Sequence, residues 1–121
     1  MKTIIAGSRI ATLDDVIKAM ETCPWLTEIT EVVSGCARGA DSYGELLADE
    51  YDIPVKRFPA QWVSGETGLV DKTAGYKRNQ EMVDYSDALI AIDCNTNGIS
   101  DMIKRVKQKN LKVHIYSGSC K

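Results

Sequence analysis

The sequence predicts an α/β fold: a three-layer, Rossmann-like sandwich around a mostly parallel five-stranded sheet of order 3-2-1-4-5. Two observations predict it. Five short apolar runs of β type alternate with four segments of helical period, which requires parallel pairing through right-handed crossovers. The unit of strand, glycine-bearing turn and helix also recurs along the chain. Length and composition agree, since 121 residues with 44% hydrophobic and 26% charged side chains describe one ordinary globular domain, residues 1–121. A domain of this size buries roughly two thirds of the surface exposed by its unfolded chain, so its core needs neither disulfides nor a structural metal.

Taken in order, Thr3 to Ala6 is a β-type run that stops at Gly7-Ser8-Arg9. Leu13, Val16, Ile17 and Met20 then fall at helical spacing, with Thr12 as a start signal, Asp14 and Asp15 in the first turn and Pro24 limiting the far end. Ile29 to Val33 reads as the second strand, followed by the turn Ser34-Gly35-Cys36-Ala37-Arg38-Gly39-Ala40-Asp41. Ala40, Tyr43, Leu47 and Tyr51 form the core stripe of the second helix, with Leu46 beside it. Ile53 to Phe58 is the third strand, beginning beside Pro54, and it leads into a long loop, Pro59 to Gly75, that carries Trp62. Loops of that length are uncommon and often functional.

Tyr76 to Ser86 suits a helix whose core face, including Met82 and Val83, is thinner than the others. Arg78-Asn79 stands on it where a core stripe would want apolar residues. Ala88 to Ile92 is the most apolar strand and is expected to be central. Ile99, Met102, Ile103 and Val106 mark the last helix, and Lys112 to Tyr116 the last strand, which leaves 117–121 as a frayed tail.

In the order 3-2-1-4-5 the winding reverses between strands 1 and 4, and open α/β sheets bind ligands at the carboxyl ends of the strands beside such a reversal. The turns there are Gly7-Ser8-Arg9, Ser34 to Asp41, and Asp93 to Gly98, and they alone combine glycine, hydroxyl and charge. Gly35 and Gly39 let backbone approach a ligand, the following helix offers free amides, and Arg38 adds forked donors. A phosphate would be held there, with Ser34 or Ser8 donating further bonds. The pattern is neither the dinucleotide fingerprint nor a P-loop, so plain tight-turn glycines, with Arg38 paired to Asp41, fit the spacing equally well.

Arg9 and Arg78 stand near the same crevice, Arg78 reading either as a pocket cation or as a solvated arginine. Asp93 reads as a ribose-hydroxyl acceptor or as a cap of its own turn. Trp62 would stack on a base or anchor the long loop. Cys36 lies at a helix start, which favours a thiolate, but no histidine is nearby in sequence to act as a base, so a small turn residue is the better reading. His114, the single histidine, reads as an edge residue.

Charge narrows the function classes. With 15 Lys and Arg against 17 Asp and Glu, a net charge of −2 and a pI near 5.4, a non-specific duplex-nucleic-acid binder is disfavoured. Small phosphorylated ligands need only a few placed arginines. The longest apolar run, Ala88 to Ile92, is far short of the about 20 residues of a membrane helix, and the apolar part of the N-terminus is too short for a signal peptide, so a cytoplasmic protein without membrane partners is expected. Cys23, Cys36, Cys94 and Cys120 form no Cys-x-x-Cys pair, which predicts reduced thiols and no metal site. No cofactor is expected either.

Gly7-Ser8-Arg9, the turn Ser34 to Asp41, Phe58-Pro59-Ala60-Gln61-Trp62 and Arg78-Asn79-Gln80-Glu81-Met82 together resemble the YspA-type branch of the SLOG superfamily over nearly the whole chain. That superfamily is Rossmann-like and includes the "lonely guy" phosphoribohydrolases, DprA-type DNA-processing proteins and sensor domains for nucleotide-derived signals. The resemblance implies that Gly7, Ser8, Arg9, Gly35, Arg38, Gly39, Asp41, Arg78, Asn79 and Gly98 line a nucleotide-type pocket, and that the chain forms a homo-oligomer. In the hydrolases a loop resembling Pro-Gly-Gly-x-Gly-Thr-x-x-Glu follows strand 4, its glutamate working with an arginine that Arg78 would match. Here the loop reads Asn95-Thr96-Asn97-Gly98-Ile99-Ser100-Asp101-Met102, with Ile99 at the threonine position and Met102 at the glutamate position.

Asp101 stands one residue early, about 100° around a helix, and cleavage through an oxocarbenium-like transition state needs a carboxylate beside the sugar. Binding of a nucleotide or nucleotide-derived signal, as a sensor, carrier or sequestering protein, therefore ranks above turnover. The alternatives are a nucleotide N-glycosidase using Arg78 with Asp101 or Asp93, and a DNA-processing accessory protein.

Overall fold

A computed structural model of the chain describes residues 1–7, 10–36, 39–59, 74–93 and 97–117. The elements are β1 (Lys2–Gly7), α1 (Leu13–Glu21), a single 3₁₀ turn (Leu26–Glu28), β2 (Glu31–Ser34), α2 (Ala40–Glu50), β3 (Val55–Arg57), α3 (Ala74–Tyr85), β4 (Ala88–Asp93), α4 (Asn97–Gln108) and β5 (Lys112–Ser117). The sheet order is β3-β2-β1-β4-β5. All four pairings are parallel, with Ile4 opposite Val33 and Leu89, and Ile90 opposite His114. The expected fold class and strand order are those observed.

The alternation of side chains along the strands builds two cores. Ile5, Val32, Ile90 and Ile92 face one side, where Val16, Met20, Ala40 and Ala48 of α1 and α2 cover them. Ile4, Ala6, Val33, Leu89 and Ala91 face the other, beneath Met82 and Val83 of α3 and Met102 and Val106 of α4. Each fully buried Ile or Val contributes about 2 kcal/mol in transfer free energy. β1 is the middle strand, and the strongly apolar β4 lies beside it as an interior strand.

Several boundaries differ from the sequence expectation, each for a physical reason. Ile29 and Thr30 precede β2 as the exit from the 3₁₀ turn, although Ile29 still buries its side chain in the α1/α2 core. β3 is shorter than Ile53 to Phe58, because Pro54 has no N–H to donate and serves only as an acceptor, its carbonyl receiving Val32 N–H at 2.9 Å. Ser117 pairs with Asp93 as the last residue of β5, so the expected tail loses its first member.

The core stripe of α2 is also corrected. Ala40, Gly44 and Ala48 are buried, whereas Tyr43 and Leu47 are half-buried and Leu46 and Tyr51 are half exposed. A Cβ on Gly44 would lie 2.8 Å from Ile5 Cγ2, so this helix approaches the sheet through its small residues. Gly7 plays the matching part on β1: a Cβ there would meet the Ile92 carbonyl oxygen at 2.6 Å and Ala40 Cβ at 2.9 Å.

Candidate functional site

Parallel pairing with α/β crossovers places the carboxyl ends of β1, β2 and β4 and the N-termini of the following helices along one edge. Ser8, Arg9, Arg38 and Trp62 lie outside the described residues. Of the other expected site residues, Gly7 ends β1, Ser34 ends β2, Asp93 ends β4 half-buried, and Gly39 is the N-cap of α2. Gly98 is the second residue of α4 rather than part of a turn, because that helix starts two residues before Ile99.

The glycine turn is built around bare backbone at Gly35. A Cβ there would lie 2.7 Å from Asp41 Oδ2 and 2.8 Å from Arg78 Nη1, so only glycine lets α2 and α3 bring a carboxylate and a guanidinium to the same point. The Gly35 N–H donates to Asp41 Oδ2 at 3.1 Å, and its carbonyl accepts from Arg78 Nη1 at 2.5 Å. Asp41 is only 5% exposed. Cys36 takes a left-handed conformation at φ 62°, and its N–H donates to Ser34 Oγ at 3.1 Å. The N–H groups of Gly35 and Cys36 are therefore satisfied within the chain.

The start of α2 carries no side-chain cap. Gly39, at φ 78°, turns the chain into the helix, and no side chain of the cap bonds an amide of the first turn. Free amides at a helix N-terminus, with the partial charge of the peptide dipoles, favour a negative group.

Arg78 continues the network into the other helical layer. Its Nε donates to Asn79 Oδ1 at 3.3 Å, and Asn79 Nδ2 donates to Asp101 Oδ2 at 3.0 Å. Asp101 also pairs with Arg105 Nε at 2.8 Å, and Arg105 Nη1 donates to Gln80 Oε1 at 2.7 Å. Asn79 is buried, which explains a polar residue on the core stripe: it bridges α3 and α4. The Asp101 carboxylate is thus committed between Asn79 and Arg105.

Ser34 is buried and donates to Glu45 Oε2 at 2.6 Å, while Glu45 Oε1 pairs with Arg57 Nε at 2.7 Å. Ser34 therefore fastens β2 to α2. The sequence reading missed Glu45 and Arg57, because a contact spanning an exposed strand end and a helix middle leaves no local motif. Partial burial pushes the Cys36 thiol above its usual range, and the Glu45 carboxylate adds to that, which agrees with a turn residue rather than a nucleophile. His114 sits on the edge strand β5 with Nε2 2.9 Å from Thr22 Oγ1, its ring edge-on to Trp25. Among the described residues no group of three or more His, Cys, Asp or Glu is placed to hold a metal ion. Nor is any described helix long and apolar enough to cross a membrane.

No family model matches the sequence, and no curated protein matches it. The structure is similar to that of DNA processing protein A (DprA) from Streptococcus pneumoniae, with a TM-score of 0.77 at 16% identity. The match covers 98% of this chain and 50% of that one, so the chain spans half the length of DprA and shares with that half a Rossmann-like fold.

Proposed function

We propose that this chain binds a nucleotide or nucleotide-derived small molecule at the carboxyl edge of β1, β2 and β4, as a sensor, carrier or sequestering protein. The observation that carries the reading is the convergence on Gly35, where Asp41 and Arg78 close on bare backbone directly before the uncapped start of α2. The α2 amides suit a phosphate, and Arg78 supplies a cation fixed by its bond to the Gly35 carbonyl. Asp101, the carboxylate nearest in sequence to the position a glycosidase would need, is held by Arg105 and Asn79, which favours binding over hydrolysis. A homo-oligomer, implied by the family resemblance, is part of this proposal.

The test is incubation of the purified chain with a panel of mononucleotides, dinucleotides, cyclic nucleotides and NAD-derived metabolites, followed by mass spectrometry of the retained and free fractions. Retention of an intact compound, lost in Arg78→Ala, is the expected result. Release of free base with ribose phosphate would replace binding by hydrolysis, and retention of nothing would remove the reading.

The likeness to DprA favours a second reading, a part in DNA processing. Single-stranded DNA binding whose affinity falls steeply with salt would support it, since phosphate contacts release counterions.

A further inference from the structure

The start of α3 differs from the starts of α1 and α2. Peptide dipoles favour acidic residues at a helix N-terminus and basic ones at its C-terminus. α1 opens on Asp14 and Asp15, α2 has Asp41 in its first turn, and α4 closes on Arg105 and Lys107. α3 opens Ala74-Gly75-Tyr76-Lys77-Arg78, with no acidic residue in its first turn and two successive cations at its fourth and fifth positions. A local rule broken in this way marks a position where something other than helix stability is served.

Both cations line a cleft of about 510 Å³ between α3 and the end of β3, where Lys56, Arg57 and Phe58 form the opposite wall and Glu81 is the one carboxylate among the described lining residues. Among the described residues that makes four cations against one acid in a chain of net charge −2, with Arg57 paired to Glu45 of α2. Lys56 Nζ lies 5.6 Å from the centroid of the Phe58 ring, and Phe58 in turn packs on Tyr85 with centroids 5.4 Å apart, so the cationic wall has an aromatic base. The volume falls in the range of small-molecule sites. Arg78 belongs to this cleft and to the glycine turn at once, because its Nη1 bonds the Gly35 carbonyl while the residue lines the cleft.

We infer that the β3/α3 cleft is a second anion subsite, and that the ligand carries two separated phosphate groups, as a 5′-phosphorylated dinucleotide does. One phosphate meets the start of α2. The second enters the cleft between Lys56 and Lys77, with apolar ligand surface against Phe58, and its charge offsets the unfavourable cations at the start of α3. The inference rests on the nucleotide-binding reading above and deepens it.

The experiment is equilibrium dialysis of the full chain against AMP, GMP, CMP and UMP and against a pool of 5′-phosphorylated ribodinucleotides of mixed base, with wild type and the double variant Lys56→Gln/Lys77→Gln. Wild type is expected to hold some dinucleotide about tenfold tighter than its mononucleotide. The variant should lose that advantage and keep its mononucleotide affinity. Equal affinity for mono- and dinucleotides, or a variant that keeps the preference, would overturn the subsite and leave the proposed function standing. Binding of neither class would remove the function and the subsite together. Binding of longer single strands alone, weakening steeply with salt, would overturn it in favour of a nucleic-acid groove.

Discussion

Helices α1 and α2 begin on the same edge of the sheet, and they treat that position in opposite ways. α1 is closed by a reciprocal pair: Thr12 Oγ1 accepts from Asp15 N–H at 3.2 Å, and Asp15 Oδ2 accepts from Thr12 N–H at 3.1 Å. α2 starts on Gly39, which offers no side chain, and its first-turn acid Asp41 reaches back to accept from the Gly35 N–H. The box of α1 takes up the N–H groups of Thr12 and Asp15, whereas the cap of α2 has no side chain to offer its first turn. The two helix starts thus differ at the cap itself, extended at Thr12 and left-handed at Gly39.

The largest effect is expected from Gly7→Ala, which would force a methyl against the Ile92 carbonyl and against Ala40 at the start of α2. The expected cost is about 3 kcal/mol, seen as a lower urea midpoint with an unchanged slope, together with weaker retention of the panel ligand. Next comes Asp41→Ala, which strands the buried Gly35 N–H and should cost about 2 kcal/mol. Asp41→Asn keeps an acceptor there, so its urea midpoint should lie clearly closer to wild type, and the loss of a negative charge near the α2 amides should tighten anion binding. Thr12→Ala is expected to cost about 1 kcal/mol through the lost cap while leaving ligand retention unchanged. An equal loss of retention in Thr12→Ala and Gly7→Ala would erase the contrast between the two helix starts.

The smallest effect concerns a pair far from either. Tyr85 donates to Glu31, and this hydrogen bond raises the phenol above its usual ionisation range. A raised folded-state value means that this stabilisation is complete below the ordinary tyrosine pKa of about 10 and is lost as pH rises through the higher folded value. Urea midpoints measured across that alkaline window should fall more steeply for wild type than for Tyr85→Phe.

Strand order was legible because alternation of period two and period 3.6 carries the topology, and the handedness of crossovers does the rest. The α2 core face was legible in part: Ala40, Tyr43 and Leu47 were named and pack on the core, whereas Gly44 and Ala48, which complete the small stripe against the sheet, were passed over and Tyr51 is half exposed. Size predicts burial only where a helix stands off at ordinary distance. At the site, Gly35, Asp41, Arg78 and Asn79 were named from the sequence and share one network. The commitment of Asp101 to Arg105 was hidden, since the pair at i and i+4 looks like any surface helix pair until Asn79 is seen to join it from α3.

The small stripe of α2 has a consequence for selectivity. With Gly44 against Ile5, Ala40 against Gly7, and Tyr43 and Leu47 packed on the same core, the close-packed contact leaves the helix little room to rotate or slide. The amide end of α2 is accordingly a fixed datum, set by the sheet itself. On the proposed function, accommodation of ligands of different length or shape would fall to the long side chains of α3, and exchanging residues on that helix should retune which compound is retained while the start of α2 stays in place.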